Sequence, residues 1–129
     1  MAVKFQSEEY FQAANEALQS SEDVAKAAKG HNVVLQVITR DFPEVGEKKS
    51  FIRIDKGAML VGSGEVEDPD VTITQDYETA VELDKGELNP QVAFMEGRIK
   101  IKGNLMKVMS LQKLLQELGP ATKHIEREY

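Results

Sequence analysis

Two kinds of hydrophobic pattern alternate along the chain and predict different secondary structures. In residues 8–19, apolar side chains recur every three or four positions, which predicts an amphipathic helix. Residues 33–38 are rich in β-branched side chains, which predicts a strand. Over the whole chain these patterns predict the order α-α-β-β-β-β-α-α-β-α. Four consecutive strands with helices grouped around them are typical of an α+β domain with a largely antiparallel, five-stranded sheet.

Helix ends and one turn carry their own signals. Pro90 directly follows Asn89, which predicts a helix start, because proline at the first helical position lacks an N–H that would be unpaired anyway. Residues 55–57 predict a tight hairpin in which a glycine supplies positive φ. Residues 119–120, Gly-Pro, predict the end of the last helix. Further predicted N-caps are Ser7, Ser20 or Ser21, Asp76 and Asn104.

The last predicted helix, residues 104–118, carries more apolar surface than packing on a sheet requires. At about 100° per residue, six apolar side chains fill half of its circumference, whereas a stripe of about 100° suffices. Met106 and Leu114 lie outside even that half. The six are Leu105, Val108, Met109, Leu111, Leu115 and Leu118. The excess predicts a larger core, a partner chain, or a cavity for an apolar ligand.

Methionines are concentrated in this part of the chain. Met95, Met106 and Met109 lie within fifteen residues of one another. Flexible thioether side chains suit surfaces that accept variable apolar shapes, although filling gaps in a core is their commoner use. Their grouping therefore favours the ligand cavity, with ordinary core packing as the alternative.

Residues 98–102 alternate basic and apolar side chains. The strand period predicts that Ile99 and Ile101 face the core while Arg98, Lys100 and Lys102 face outward. A solvated sheet face that discourages edge-to-edge association is one interpretation. The other is a basic patch beside an apolar pocket, suited to the phosphates of an acyl-CoA or to anionic membrane headgroups.

Composition limits the chemistry that the chain can perform. With 129 residues, 41% of them apolar and 29% charged, we expect one globular domain over residues 1–129. There is no cysteine, and the two histidines are far apart. No catalytic group, metal site or cofactor site is therefore predicted.

The charge of the chain is unevenly distributed. The net charge of −6 argues against a nucleic-acid partner. Residues 98–113 nevertheless hold five basic and no acidic residues, while the rest holds 11 basic and 22 acidic ones. The chain starts without a signal-peptide pattern, has no apolar run long enough to span a membrane, and ends without a peroxisomal address. We therefore expect a cytoplasmic location.

A longer motif connects these features. Residues 86–104, GELNPQVAFMEGRIKIKGN, resemble the signature region of the sterol carrier protein-2 (lipid-transfer) family. That region has Asn-Pro-Gln, a small residue, an aromatic, a glycine turn, an apolar–basic strand and then Gly-Asn. Residues 70–83, DVTITQDYETAVEL, are similar to the strand-then-helix element that precedes it. The resemblance covers residues 8–118. Two positions depart from the pattern: Glu96 stands for a frequent glutamine, and Lys107 for an apolar residue.

The resemblance implies a five-stranded sheet with helices packed on one face and an apolar tunnel between them. It also implies binding of apolar lipids, namely fatty acids, fatty acyl-CoA, sterols or phospholipids, without chemistry. The expected partners are thus an apolar lipid and, transiently, a membrane; monomer and homodimer both remain open. The alternative is a dimerisation or scaffold module of the same fold. The predicted ligand-binding residues are Phe94, Met95, Leu105, Met106, Met109 and Leu115.

Overall fold

The computed structural model describes residues 2–129, which form six helices and seven strands. The helices are α1 Glu8–Gln19, α2 Glu22–Ala28, α3 Tyr77–Asp84, α4 Pro90–Met95, α5 Leu105–Ser110 and α6 Gln112–Thr122. The strands are β1 Val3–Lys4, β2 Val33–Phe42, β3 Gly46–Asp55, β4 Ala58–Ser63, β5 Val71–Asp76, β6 Ile99–Gly103 and β7 Arg127–Glu128. None of the helices in the described residues could cross a bilayer, since none is both long and apolar enough.

Five strands form the main sheet in the order β4-β3-β2-β5-β6. All neighbours are antiparallel except β2 and β5, which are parallel. The chain reaches β5 from the edge strand β4 by crossing the outer face of the sheet in residues 64–70. Gln36 holds this crossing, because its Nε2 donates to the Gly64 carbonyl at 3.1 Å and its Oε1 accepts from the Val66 N–H at 2.7 Å. The predicted α+β fold with a largely antiparallel sheet is confirmed.

Helices pack on the opposite, inner face of this sheet. Alternate strand residues point inward, as the strand period requires. Leu35, Ile54 and Val71 from the sheet pack with Val24 from α2 and with Leu111 and Leu114 at the start of α6. Because these side chains are almost completely buried, this cluster is the main core.

The predicted starts of the helices are confirmed by the hydrogen bonds of their caps. The Asp76 carboxylate accepts from the Thr79 N–H at 2.7 Å, and the Asn89 amide oxygen accepts from the Gln91 N–H at 2.8 Å. The hairpin between β3 and β4 has positive φ at both central residues, Lys56 and Gly57, as a two-residue turn of type I′ requires. The remaining N-caps are Ser7, Ser21 and Asn104.

The last helix differs from its prediction. It is interrupted at Leu111, which lies between α5 and α6, and α6 continues past Gly119 and Pro120 to Thr122. The interruption changes the phase of the helix, so that Leu111 and Leu114 both enter the core. Pro120 removes one backbone donor, but it lies on the exposed side, where water can solvate the carbonyl that loses its partner.

A second, two-stranded sheet joins the segments near the two ends of the described chain. β1 and β7 pair in parallel, with the Val3 N–H donating to Glu126 at 3.0 Å and the Phe5 N–H to Glu128 at 2.8 Å. Strands of two residues show no periodicity, so the sequence pattern did not predict them. This sheet brings residues 125–129 against the start of α1.

Candidate functional site

A cavity of about 310 Å³ lies between the inner face of the sheet and helices α1, α3 and α6. Its apolar lining includes Phe11, Ala14, Leu18, Ile73, Ile99 and Leu118. The small side chain of Ala14 on the buried face of α1 leaves space above the strands. The cavity lies where the resemblance implies a tunnel, and its continuation as a tunnel stays a prediction.

Polar side chains fix the helices around this cavity. The Asn15 amide on α1 bonds both backbone groups of Val61 on β4, donating to its carbonyl and accepting from its N–H, each at 2.8 Å. On the other side, the Arg98 Nε donates to Thr79 Oγ1 at 3.2 Å, and its guanidinium pairs with Glu82. The hydrogen bond to Glu82 raises the pKa of Arg98. Helices α1 and α3 are thus held to the two edges of the sheet.

One end of the cavity is polar. Thr39 and Gln75 are register partners on β2 and β5, one step beyond the apolar inward residues of the same strands. Gln75 Nε2 and Gln6 Nε2 lie 3.4 Å and 3.5 Å from Thr39 Oγ1. Gln6, Ser50 and Gln75 all line the cavity. An apolar cavity with a few convergent polar groups is the usual form of a small-molecule site.

A buried ion pair closes the cavity on the side of α3. Arg127 Nη1 lies 2.8 Å and 2.9 Å from the two carboxylate oxygens of Asp84, and the two side chains are only 9% and 14% exposed. The Tyr10 hydroxyl donates to the same carboxylate at 3.2 Å, and the Tyr129 hydroxyl also donates to it. Burial, reinforced by the Asp84 charge, raises the pKa of Tyr10 and of Tyr129. Both phenols therefore stay protonated as donors at neutral pH.

The structure separates the six predicted ligand-binding residues. Leu115 lines the cavity. The other five do not line it; they lie on the surface, with exposed fractions between 42% and 84%. The physical reason is that α4 and α5 are single short helices, of which α4 buries only Ala93 and α5 buries no residue. The five are Phe94, Met95, Leu105, Met106 and Met109, and their contact with a ligand stays a prediction.

The basic residues of the segment 98–113 fall into two groups. Lys107 Nζ lies 3.0 Å from Asp70 Oδ1, and Arg98 is half-buried in its pair with Glu82. Lys100, Lys102 and Lys113 are exposed. The alternation predicted for β6 is confirmed, because Ile99 is buried and Ile101 packs against the core while the two strand lysines face solvent. Arg98 does not follow this alternation, because Arg98 precedes the first residue of β6.

Sequence reasoning missed the polar end of the cavity and the ion pair. Thr39 and Gln75 could have been found, because each continues an inward run of apolar residues at a spacing of two. Gln6 and Arg127 lie in polar stretches that give no periodic signal. Their positions depend on the β1–β7 pairing, which joins segments more than 120 residues apart.

A second depression, of about 570 Å³, lies on the surface between α1 and residues 121–126. Exposed polar groups such as Glu16, Ser20 and His124 line much of it. Such a lining removes little apolar ligand surface from water, so the cavity under α1 is the better candidate. In the part of the chain that the structure describes, no three His, Asp or Glu residues converge to hold a metal ion.

Comparison with known proteins decides the family. The model of the SCP-2 sterol transfer family matches residues 11–116. The chain belongs to this family. The crystal structure of sterol carrier protein 2 superposes with a TM-score of 0.79 and 26% identity, covering 95% of this chain and 99% of that one. The structure of a Thermus thermophilus protein described as "possibly sterol carrier protein" gives a TM-score of 0.79 and 25% identity, with coverages of 98% and 93%.

Two relatives of this SCP-2 family member differ in the fraction of their own length that the match covers. The oleate-induced peroxisomal protein POX18 of Candida maltosa is 28% identical over 120 residues, which span 92% of this chain and 94% of POX18. Rat hydroxysteroid dehydrogenase-like protein 2 is 36% identical over 70 residues, which span 54% of this chain but only 13% of that protein. The predicted resemblance is confirmed, and it assigns the chain to the lipid-binding and lipid-transfer class.

Proposed function

We propose that this SCP-2 family member is a non-catalytic carrier that holds the apolar part of one lipid in the cavity between the sheet and α1. The observation that carries the proposal is the apolar cavity itself, in a chain whose family is defined by lipid transfer. Each methylene that the cavity removes from water contributes about 0.8 kcal/mol. Burial of an acyl chain alone can therefore supply most of the affinity.

The size of the cavity favours a ligand with one apolar chain. Its volume of about 310 Å³ is at the small end of the range of roughly 300–1,000 Å³ usual for ligand sites. A fatty acid or a similar single-chain lipid suits this space, and the nucleotide part of an acyl-CoA would remain outside.

The charged group at the cavity is unsuited to catalysis. Within residues 2–129, Asp84 is the one charged residue that lines it. Its carboxylate already accepts hydrogen bonds from Arg127, Tyr10 and Tyr129. A carboxylate so fully engaged is poorly placed to remove a proton from a ligand.

The exposed apolar residues support a transient contact with membranes. Met95 and Met106 are 84% and 74% exposed, on the helices that precede and follow the edge strand β6. The lysines at 100 and 102 face solvent on that strand. Exposed apolar side chains combined with basic ones are the composition that binds an anionic lipid surface. We propose that the lipid is exchanged at this surface, which we call the β6 surface.

Binding of diphenylhexatriene, a hydrocarbon probe that fluoresces in apolar surroundings, tests the cavity. We expect Leu115→Trp to reduce the binding of this probe at least tenfold, because the larger ring fills the cavity from α6. Met109→Trp is the matched control: it adds an aromatic ring at a residue that is 61% exposed on α5 and should leave binding unchanged. If Met109→Trp abolishes binding and Leu115→Trp does not, the ligand site lies at the surface instead.

The exposed methionines also favour a second candidate, a dimerisation or scaffold module. Sedimentation of the purified protein separates the two functions. Two results together would support the module: the wild type associates and binds no lipid, and the Met95→Ser, Met106→Ser double variant no longer associates.

We also propose a cytoplasmic location. POX18 is named as a peroxisomal protein, so the proposal needs a direct comparison of the two compartments. Imaging of the tagged chain together with a peroxisomal marker provides this comparison. Overlap of the tagged chain with the marker would contradict the proposal.

A further inference from the structure

Gln6 occupies an unusual position between β1 and α1. Its side chain is only 6% exposed and lines the cavity. Its backbone has a φ of +62°, in the left-handed region that side-chain-bearing residues rarely adopt. Its Oε1 finds no hydrogen-bond partner among residues 2–129. The chain is thus turned so that a long amide side chain is buried with its acceptor unpaired.

The left-handed backbone closes a turn in which the Ser7 N–H donates to the Lys4 carbonyl at 3.0 Å, but the unpaired side-chain oxygen makes no such contact. A buried acceptor that has lost water and gained no partner destabilises the folded state, and so does a left-handed backbone at a residue other than glycine. An apolar side chain of the same length, such as methionine, would fill the space without an unpaired oxygen. Costs of this kind gather at sites where they serve binding.

The polar groups around Gln6 indicate which kind of ligand group its Oε1 can bind. Gln6 Nε2 and Gln75 Nε2 are both directed at Thr39 Oγ1, at 3.5 Å and 3.4 Å. Thr39 is completely buried, and Ser50 lines the same part of the cavity. One N–H of each amide is thus engaged at Thr39, and the side-chain atom of Gln6 that has no partner is its acceptor, Oε1. It requires a ligand that carries a hydrogen-bond donor.

We propose that Gln6 Oε1 accepts a hydrogen bond from the hydroxyl of a neutral, single-chain lipid that binds with its polar end inward. An ionised carboxylate has no proton to donate, and among residues 2–129 no basic side chain lines the cavity to neutralise its charge. The structure thus favours alcohols of the fatty-alcohol or monoacylglycerol class over fatty-acid anions. The inference rests on the proposed function, because it requires the cavity to hold the apolar chain.

Three ligands with the same chain length isolate the hydroxyl: dodecanol, dodecyl methyl ether and laurate, each competing against diphenylhexatriene at neutral pH. For the wild type we expect dodecanol to bind about tenfold more tightly than the ether or laurate, the size of effect that one buried hydrogen bond produces. Gln6→Met should reduce this preference to about one, with both affinities corrected for the variant's own affinity for diphenylhexatriene. Gln12→Met makes the same substitution at an exposed position on α1 and should change neither.

Thermal unfolding separates a ligand-binding role from a structural one. Without ligand, Gln6→Met should melt at the same temperature as the wild type or higher, because it removes the unpaired oxygen. A lower melting temperature, together with equal losses for dodecanol and its ether, would show that Gln6 is structural and overturn the inference.

A measurement on the wild type covers the case in which the variant does not fold. Dodecanol should shift the NMR signals of the Gln6 side-chain amide, whereas the ether should leave them in place. Equal shifts with both ligands would overturn the inference and leave the proposed function intact. If diphenylhexatriene does not bind the wild type at all, the proposed function fails, and this inference fails with it.

Discussion

At the scale of single residues, Gly103 determines how closely β6 approaches β5. It has a φ of +118°, and a Cβ atom placed on it would lie 2.5 Å from the Asp70 carbonyl oxygen. Since backbone atoms enclose the position, the clash could not be relieved by a flexible side chain. The glycine is therefore required at this point both for its conformation and for space.

We predict that Gly103→Ala destabilises the protein by about 3 kcal/mol, through the strained backbone and the clash together. Gly86→Ala is the control. It also has positive φ, but no atom lies within 4 Å of the added Cβ, so about 1 kcal/mol is expected. Urea unfolding of both variants measures the difference. Equal costs would mean that the approach to Asp70 imposes no constraint.

Asp70, next to this contact, gives a prediction about pH. The Val34 N–H donates to the Asp70 carboxylate at 2.8 Å and Lys107 lies 3.0 Å from it, and these contacts hold the pKa of Asp70 below its ordinary value. The charged form thus stabilises the fold fully above that value, and the contribution is lost as pH falls through the lower, folded pKa. Because both side chains are partly exposed, we expect Asp70→Asn to cost only about 1 kcal/mol at neutral pH.

The measurement is the free energy of unfolding of wild type and Asp70→Asn as a function of pH. The gap between the two should be constant near neutrality and should close in acid, below the ordinary aspartate pKa. A gap that persists or widens in acid would show that the carboxylate charge is not what stabilises this contact.

At the scale of elements, the division of the last helix at Leu111 decides which side chains are buried. On a continuous helix Leu114 lies outside the apolar half, yet in the structure it is completely buried, while Met106 is 74% exposed. We predict that Leu114→Ala costs 2–5 kcal/mol, as deletion of a core leucine typically does, and that Met106→Ala costs less than about 0.5 kcal/mol. Similar costs measured by urea unfolding would indicate that α5 and α6 behave as one helix.

This helix also shows what the sequence could and could not predict. The caps at Asp76 and Asn89 were predictable because each depends on residues adjacent in the chain. The break at Leu111 was not, because it results from packing of the leucines against strands and α2, far away in sequence.

The same distinction applies to the candidate site. The inward positions on the strands follow from a period of two, whereas the surface position of Phe94 and Met109 follows from how α4 and α5 dock. An apolar side chain alone does not reveal whether it faces a cavity or solvent.

At the scale of the whole molecule, the charge distribution gives a prediction about lipid transfer. We expect the double reversal Lys100→Glu, Lys102→Glu on the β6 surface to slow transfer to anionic vesicles, since each basic residue near such a membrane contributes about 1 kcal/mol. Added salt should reduce the difference.

Two controls test whether the slower transfer results from lost contact between the β6 surface and the anionic membrane. Lys26→Glu, Lys123→Glu reverses two exposed lysines on α2 and after α6 and should have a smaller effect. Binding of diphenylhexatriene should be unchanged in both double variants. Equal slowing towards anionic and neutral vesicles would show that the lysines of β6 serve only as a solvated face.

The position of the ligand in the fold is the central claim, and methyl NMR tests it most directly. Protein labelled at isoleucine and methionine methyl groups, saturated with unlabelled dodecanol, reports short-range contacts between ligand and side chains. We predict contacts at Ile73 and Ile99, which line the cavity, and none at Ile38 on the opposite face of β2. Contacts confined to the exposed methyl groups of Met95, Met106 and Met109, with Ile73 and Ile99 silent, would contradict it.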